Sequence, residues 1–177
     1  MMSLTLVFWI FVVFFGAVGA MRGWAKELIV SFSVILALAI MTLLKEYVAP
    51  VQPFLGSGTT LSFWFQTAIL MALAFFGYQT PNIQKLAGTR FAREKLQDIL
   101  FGFVLGAFNG YLIMGSIWYF LAEAGYPFDM ITPPIAGTPA GDAAARLFDI
   151  LPPVILDAPL VYFAVFLSFA FVVIVFI

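Results

Sequence analysis

The chain has 177 residues, of which 64% are hydrophobic and 10% are charged, whereas an average soluble domain carries about 25% charged residues. A domain of this size still exposes roughly 30% of its unfolded surface, so the composition excludes a water-soluble globule. The eight Lys and Arg residues and the formal net charge of -1 provide no basic surface for nucleic acid. Cys and His are absent, which excludes disulfides, thiolate nucleophiles and histidine-ligated metals or haem.

Five apolar runs are long enough to cross a bilayer as helices, so we predict an all-α, polytopic membrane protein in a single domain. At about 1.5 Å per residue, runs of this length approach the roughly 30 Å of bilayer hydrocarbon. None contains Asp, Glu, Lys or Arg, each of which costs roughly 2.5 to 3.5 kcal/mol at mid-depth. The predicted spans are residues 4–21, 28–44, 61–78, 99–122 and 160–177.

The first run has a second interpretation as a signal peptide, because Ala17-Val18-Gly19 resembles a small-residue cleavage site. The first three residues include no Lys or Arg, although a signal peptide begins with a basic region. We therefore expect this run to be a retained helix.

The distribution of basic residues predicts the orientation, since cytoplasmic connections carry an excess of Lys and Arg. Only Lys45 and Arg146 fall on the side opposite to the connections after the first and third runs. We therefore expect the N-terminus outside and the C-terminus in the cytoplasm. We also expect the six remaining basic residues to contact lipid headgroups, although topology alone would select them; they are Arg22, Lys26, Lys85, Arg90, Arg93 and Lys95.

Two sets of glycines at helical spacing predict close helix packing. Aligned glycines let a neighbouring backbone approach, which is a main source of helix association in lipid. We expect the first set to meet a helix of the same chain, with dimerisation as the alternative, and the second to meet a neighbouring helix, with a smooth pore wall as the alternative. The sets are Gly16, Gly19 and Gly23, then Gly102, Gly106 and Gly110.

Two amides inside the apolar runs, Gln66 and Asn109, are expected to face other helices. A hydroxyl can bond back to its own helix, but an amide is harder to satisfy in this way. The runs contain no ionisable residue on which a proton relay could operate, and the sequence shows neither a nucleophile with a base nor a phosphate loop. We therefore predict no catalytic, metal or cofactor-ligating residues and no enzyme activity.

The longest connection contains one patterned stretch. Asp142, Arg146 and Asp149 share a helical face, and Thr138 and Pro139 form a helix start. We predict a short amphipathic helix that lies on the outer membrane surface or folds back over the bundle. Its apolar face is predicted to contain Ala143, Leu147, Ile150 and Leu151.

Two blocks of the sequence resemble the colicin V production protein (CvpA) family. Residues 22–27, with the sequence RGWAKE, are similar to the family's Arg-Gly-aromatic-x-basic-Glu signature, and residues 98–110 to its Asp-Arg-x-Leu-Gly and Gly-Ala-x-Arg-Gly pattern. Ile99 and Asn109 stand where the family commonly has Arg, Phe101 replaces Leu, and residues 160–177 lie outside the resemblance. The resemblance implies a multi-pass bacterial inner-membrane protein linked to colicin V secretion and surface-associated growth, without an agreed biochemical activity.

The residues favour a scaffold or accessory subunit of a larger inner-membrane complex over other functions. Its partners would be membrane lipids and other membrane-protein subunits or copies of itself, and its 22 Phe could pack on pigment or quinone tails in a respiratory or photosynthetic host. The alternative is a homo-oligomeric channel or exporter component. In that case the fourth span would line the path with Gly102, Gly106, Asn109, Gly110 and Ser116.

Overall fold

The computed structural model describes residues 4–56, 58–79, 95–135 and 137–176. Over these ranges the chain forms eight helices and no strand, so the predicted all-α fold is confirmed. In chain order the helices are α1 (Leu4–Arg22), α2 (Trp24–Tyr47), α3 (Gln52–Leu55), α4 (Thr60–Tyr78), α5 (Lys95–Glu123), α6 (Pro139–Phe148), α7 (Pro152–Ile155) and α8 (Leu160–Phe176).

Four of these helices, α1, α2, α4 and α5, are long and apolar enough to cross a bilayer. The fifth predicted span corresponds to α8, which has 17 residues and a length of about 26 Å. This helix runs antiparallel to α2. Near its start the Tyr162 hydroxyl donates to Glu46 Oε2 over 3.2 Å, and two turns later the rings of Phe169 and Phe32 lie 5.9 Å apart.

The long helices extend beyond the apolar runs. Helix α2 begins at Trp24 and α5 at Lys95, each four residues before the predicted spans at residues 28 and 99. An apolar run ends at the first charge, whereas a helix continues wherever its charged side chains find partners or water. Of residues 22–27, which lie between the first two predicted spans, Gly23 alone separates α1 from α2 and the others belong to the two helices.

The helices enclose two apolar clusters. The larger cluster lies between α2, α4, α5 and α8 and includes Val34, Leu70 and Leu112, each at most 1% exposed. The smaller joins α1, α5 and α6 through Phe8 and Trp118. Helices α1 and α4 end where α2 and α5 begin, and we call this the Arg22 end of the bundle; the opposite end, where α2 and α5 terminate, is the Glu123 end.

Helix α6 begins as the sequence predicts, and part of the predicted apolar face is buried, since Leu147 packs on the smaller cluster and Leu151 is 0% exposed. The Thr138 hydroxyl accepts a hydrogen bond from the Gly141 amide over 3.0 Å and caps the helix. Its buried residues are Gly141 and Ala144, and the predicted apolar residue Ile150 is 51% exposed. The predicted face is wrong at that position because α6 ends at Phe148, so the helical period does not extend to Ile150.

The segment that contains α6 and α7 lies against the sides of α1 and α5. The Phe148 ring stacks on Tyr119 with centroids 5.7 Å apart, and the Tyr111 hydroxyl donates to the Ile150 carbonyl. A Cβ atom on Gly115 would lie 2.5 Å from Pro152 Cδ. Of the two placements predicted for the amphipathic helix, the structure therefore has the one folded back on the bundle.

Candidate functional site

The connection between α1 and α2 depends on a glycine and on a carboxylate from α5. Gly23 has φ 86°, a conformation that side chains with a Cβ atom rarely adopt. A Cβ atom there would also lie 2.8 Å from Asp98 Oδ1. The same oxygen accepts a hydrogen bond from the Trp24 amide over 3.2 Å, which satisfies one of the free N–H groups at the start of α2.

The first turn of α2 directs a carboxylate into the bundle. Glu27 is 0% exposed, and its Oε1 atom lies 2.5 Å from Nη1 of Arg22. Its other oxygen, Oε2, accepts a hydrogen bond from Nδ2 of Asn109 over 2.8 Å. A negative charge near a helix N-terminus is also favoured by the helix dipole. Glu27 is thus fully paired inside the protein, whereas the predicted spans leave it in the connection between the first two helices.

Arg22 connects this carboxylate to α4. Its Nη2 atom donates to the Tyr78 carbonyl over 3.2 Å, which is one of the free carbonyls at the end of α4. The guanidinium carbon lies 4.3 Å from the centroid of the Tyr78 ring, within the range of a cation–π contact. With its side chain 20% exposed, Arg22 contacts protein groups at positions where a lipid headgroup was expected.

Asn109 uses its whole amide inside this network. Its Nδ2 atom donates to the backbone carbonyl of Glu27 over 2.9 Å as well as to the side chain. Its Oδ1 atom accepts from the Ser31 hydroxyl over 2.6 Å. Asn109 is 0% exposed and faces α2, as the sequence predicts for an amide that must bond to another helix. We call Arg22, Glu27, Ser31, Tyr78 and Asn109 the polar cluster.

The glycine repeats lie beside the polar cluster and bring α1 against α5. A Cβ atom on Gly106 would lie 2.8 Å from the Cα atom of Gly19, and one on Gly110 would lie 3.0 Å from the Cα atom of Val12. Gly102 likewise faces the backbone at Gly19. Gly16 differs, because its near neighbour is the ring of Phe103, 2.9 Å from the added atom. We call this contact the glycine interface.

The second predicted amide lies near the Glu123 end. Gln66 is 5% exposed, and its Nε2 atom donates to the Leu55 carbonyl over 2.6 Å and lies 2.9 Å from the Ser62 hydroxyl. It therefore connects α4 to the short helix α3. Ser116, by contrast, donates to Leu112 of its own helix.

The predicted basic residues are distributed differently. Lys26 is half-buried in the first turn of α2, and Lys95 is exposed at the start of α5. Lys85, Arg90 and Arg93 lie outside the described residues. Among the three members of this set that the structure describes, only Arg22 belongs to the polar cluster.

The chemistry of the polar cluster is that of a structural ion pair in which Glu27 and Asn109 are fully hydrogen-bonded, whereas the buried Tyr78 hydroxyl has no partner among the described residues. Both Glu27 oxygens and both polar atoms of the Asn109 amide are engaged, and groups held in this way rigidify the interior. Among the residues that the structure describes, no group of three or more acidic side chains could hold a metal ion. The fold and this cluster together are those of a helical membrane protein whose interior polar groups serve helix packing.

Comparison with known proteins returns no family model, no curated protein and no solved structure that matches this chain.

Proposed function

We propose that this protein is a non-catalytic, CvpA-like scaffold or accessory subunit of a bacterial inner-membrane complex. The observation that carries this proposal is that polar side chains and glycines make contacts inside the bundle, whereas large apolar side chains lie on its surface. The polar cluster and the glycine interface are closed by contacts within one chain, so they hold the bundle together. Large apolar side chains occupy the outward surfaces, which remain available for other membrane proteins.

Helix α8 provides the clearest outward surface. It packs mainly on α2, and its remaining side is aromatic and aliphatic, with Phe163, Phe166 and Leu167 exposed by 66%, 72% and 71%. Rigid aromatic side chains bury much area at low entropic cost, and a preorganised surface loses less free energy on association. This side of α8 is the surface that we assign to a partner subunit.

The contact between the two CvpA-like blocks supports the family part of the proposal. Gly23 and Trp24 belong to the first block and Asp98 to the second, and they meet at the start of α2. Although far apart in sequence, the two blocks thus form one local structure. If the two blocks share one structural role, Gly23, Trp24 and Asp98 would be required in the same chain.

The channel alternative has less support. Its proposed lining, the glycine line of α5, is in contact with the α1 backbone at Gly19 and Val12. Asn109 is bonded to Glu27, and Ser116 to its own helix. A path along this face would require α1 to move away from its most extensive contact.

Purification at native expression in mild detergent, followed by mass measurement, tests the scaffold proposal. We expect one or more stoichiometric membrane subunits to co-purify, and the variant Phe166→Ala to retain less of them. The matched control is Phe76→Ala, since Phe76 is 70% exposed on α4, away from α8. A lone monomer from native membranes, or equal partner loss in the two variants, would contradict the proposed surface.

A further inference from the structure

A cavity of about 170 Å³ opens at the Glu123 end of the bundle, away from the polar cluster. It lies between α2, α3, α4, α5, α7 and the segment that follows α7. Since a water molecule occupies about 30 Å³ in the liquid, this space accommodates a small polar group of a few heavy atoms. It is smaller than the roughly 300 Å³ at which sites for drug-sized ligands begin.

The walls of the cavity change from apolar at the bottom to charged at the rim. Leu38, Leu55 and Phe120 are at most 4% exposed and form the apolar part. Lys45 lies at the rim, about two turns further along α2 than Leu38, and Glu123 lies at the rim at the end of α5. A site of this form at the end of membrane-spanning helices is suited to a polar group attached to an apolar chain.

The rim carries two carboxylates and one ammonium group. The Lys45 Nζ atom lies 3.5 Å from Glu123 Oε1, and the two side chains are 52% and 25% exposed. A partly exposed ion pair at this distance is weak. Each of the two side chains can therefore leave the other and bind a ligand instead. Asp157 supplies the second carboxylate from the segment between α7 and α8.

A buried amide fixes the position of one carboxylate. Gln66 is 5% exposed and lines the cavity, where its Nε2 atom lies 3.5 Å from Glu123 Oε2. Its shorter bonds to Leu55 and Ser62 hold the amide in place. Tyr119 forms an aromatic part of the same wall, and an aromatic ring attracts a bound cation.

We propose that this cavity binds a primary ammonium group joined to a phosphate, the chemistry of a phosphoethanolamine headgroup. The ammonium would donate to Glu123 and Asp157, and the phosphate would accept from Lys45. A primary ammonium has three N–H donors for the two carboxylates, whereas the quaternary ammonium of a phosphocholine headgroup has none. The source of the group is either a membrane phospholipid or free phosphoethanolamine.

Native mass spectrometry of the full chain tests this site, after reconstitution in nanodiscs with equal amounts of phosphatidylethanolamine and phosphatidylcholine. We expect the parent protein to retain phosphatidylethanolamine preferentially, and Glu123→Gln to reduce that preference by about fivefold. Glu46→Gln is the matched control, because Glu46 is at the same end but does not line the cavity. It should retain the parent preference.

Two further measurements complete the test. Asp157→Asn alters an exposed residue of a connecting segment, so it should reduce the preference without affecting folding, even if Glu123→Gln fails to fold. Displacement of the retained lipid by free phosphoethanolamine would identify the soluble compound as a ligand, and its persistence would identify the lipid. Equal retention of the two lipids by the parent, or an unchanged preference in Asp157→Asn, would overturn the proposal.

Discussion

At the scale of single residues, the buried carboxylate is the feature that sequence reasoning placed wrongly. Glu27 stands between charged and apolar residues, so its position in the sequence indicates an interface. Only the structure shows that α2 starts at Trp24 and that its first turn directs Glu27 toward Asn109. Asn109 itself was identifiable, because an isolated amide in an apolar helix requires an interhelical partner. The partner was not identifiable, since the sequence does not specify which helices are adjacent.

Replacement of Glu27 tests whether the polar cluster stabilises the bundle. Glu27→Gln keeps the shape of the side chain but removes the charge opposite Arg22, and breaking a buried ion pair from one side is destabilising. Because Arg22 retains some access to solvent, we expect the free energy of unfolding to fall by about 2 kcal/mol. SDS-induced unfolding in mixed micelles, followed by far-UV circular dichroism, measures this change.

The control for this prediction is an exposed carboxylate on the same helix. Glu46 accepts a hydrogen bond from Tyr162 at the surface, so Glu46→Gln should change the free energy of unfolding by no more than about 0.5 kcal/mol. Equal destabilisation by the two variants would mean that the polar cluster has no special structural role.

At the scale of helices, glycine spacing gave the packing faces but not their register. The repeat in α5 indicated a line of close approach, and the structure places Gly19 of α1 between Gly102 and Gly106. The sequence left a partner within the chain, a second copy and a pore as alternatives, because all three use the same small residues. The length of α1 and the single-residue connection at Gly23 fix the position of α1 relative to α2. The hydrogen bond from the Trp24 amide to Asp98 then joins this connection to α5.

The glycine interface should be sensitive to small increases in side-chain volume. At Gly106 an added Cβ atom would meet the backbone of α1 at Gly19, 2.8 Å away, and a backbone has no alternative rotamer. We expect Gly106→Ala to reduce the free energy of unfolding by about 1 to 3 kcal/mol, and Gly106→Leu to reduce it further. The same SDS titration measures both variants.

Val104 provides the comparison on the other side of α5. It is 61% exposed, so Val104→Leu adds a methylene group without meeting another helix and should leave the free energy of unfolding within about 0.5 kcal/mol of the parent. A Gly106→Leu variant as stable as Val104→Leu would show that α1 does not occupy this face of α5 in the membrane.

At the scale of the whole molecule, the two ends of the bundle carry different charges. The Arg22 end has basic residues before and after the helices that meet there, and acidic residues predominate at the Glu123 end. The sequence gives this asymmetry directly, since charge counts do not depend on packing. The arrangement of the five apolar helices did depend on packing, and so did the position of α6, which the sequence could place only on the membrane surface or on the bundle.

Site-specific labelling tests the orientation that the charges predict. Because the chain has no Cys, each introduced Cys is the only reactive thiol. Met130→Cys replaces a residue of the Glu123 end that is 94% exposed, and Gln97→Cys places a thiol in the exposed first turn of α5 at the Arg22 end.

The excess of Lys and Arg predicts that the Arg22 end is cytoplasmic. In bacterial cells with a permeabilised outer membrane, a membrane-impermeant maleimide should therefore label Met130→Cys before lysis and Gln97→Cys only after it. The reverse pattern would invert the topology, and labelling of both before lysis would mean that these helices do not separate the two positions across a membrane.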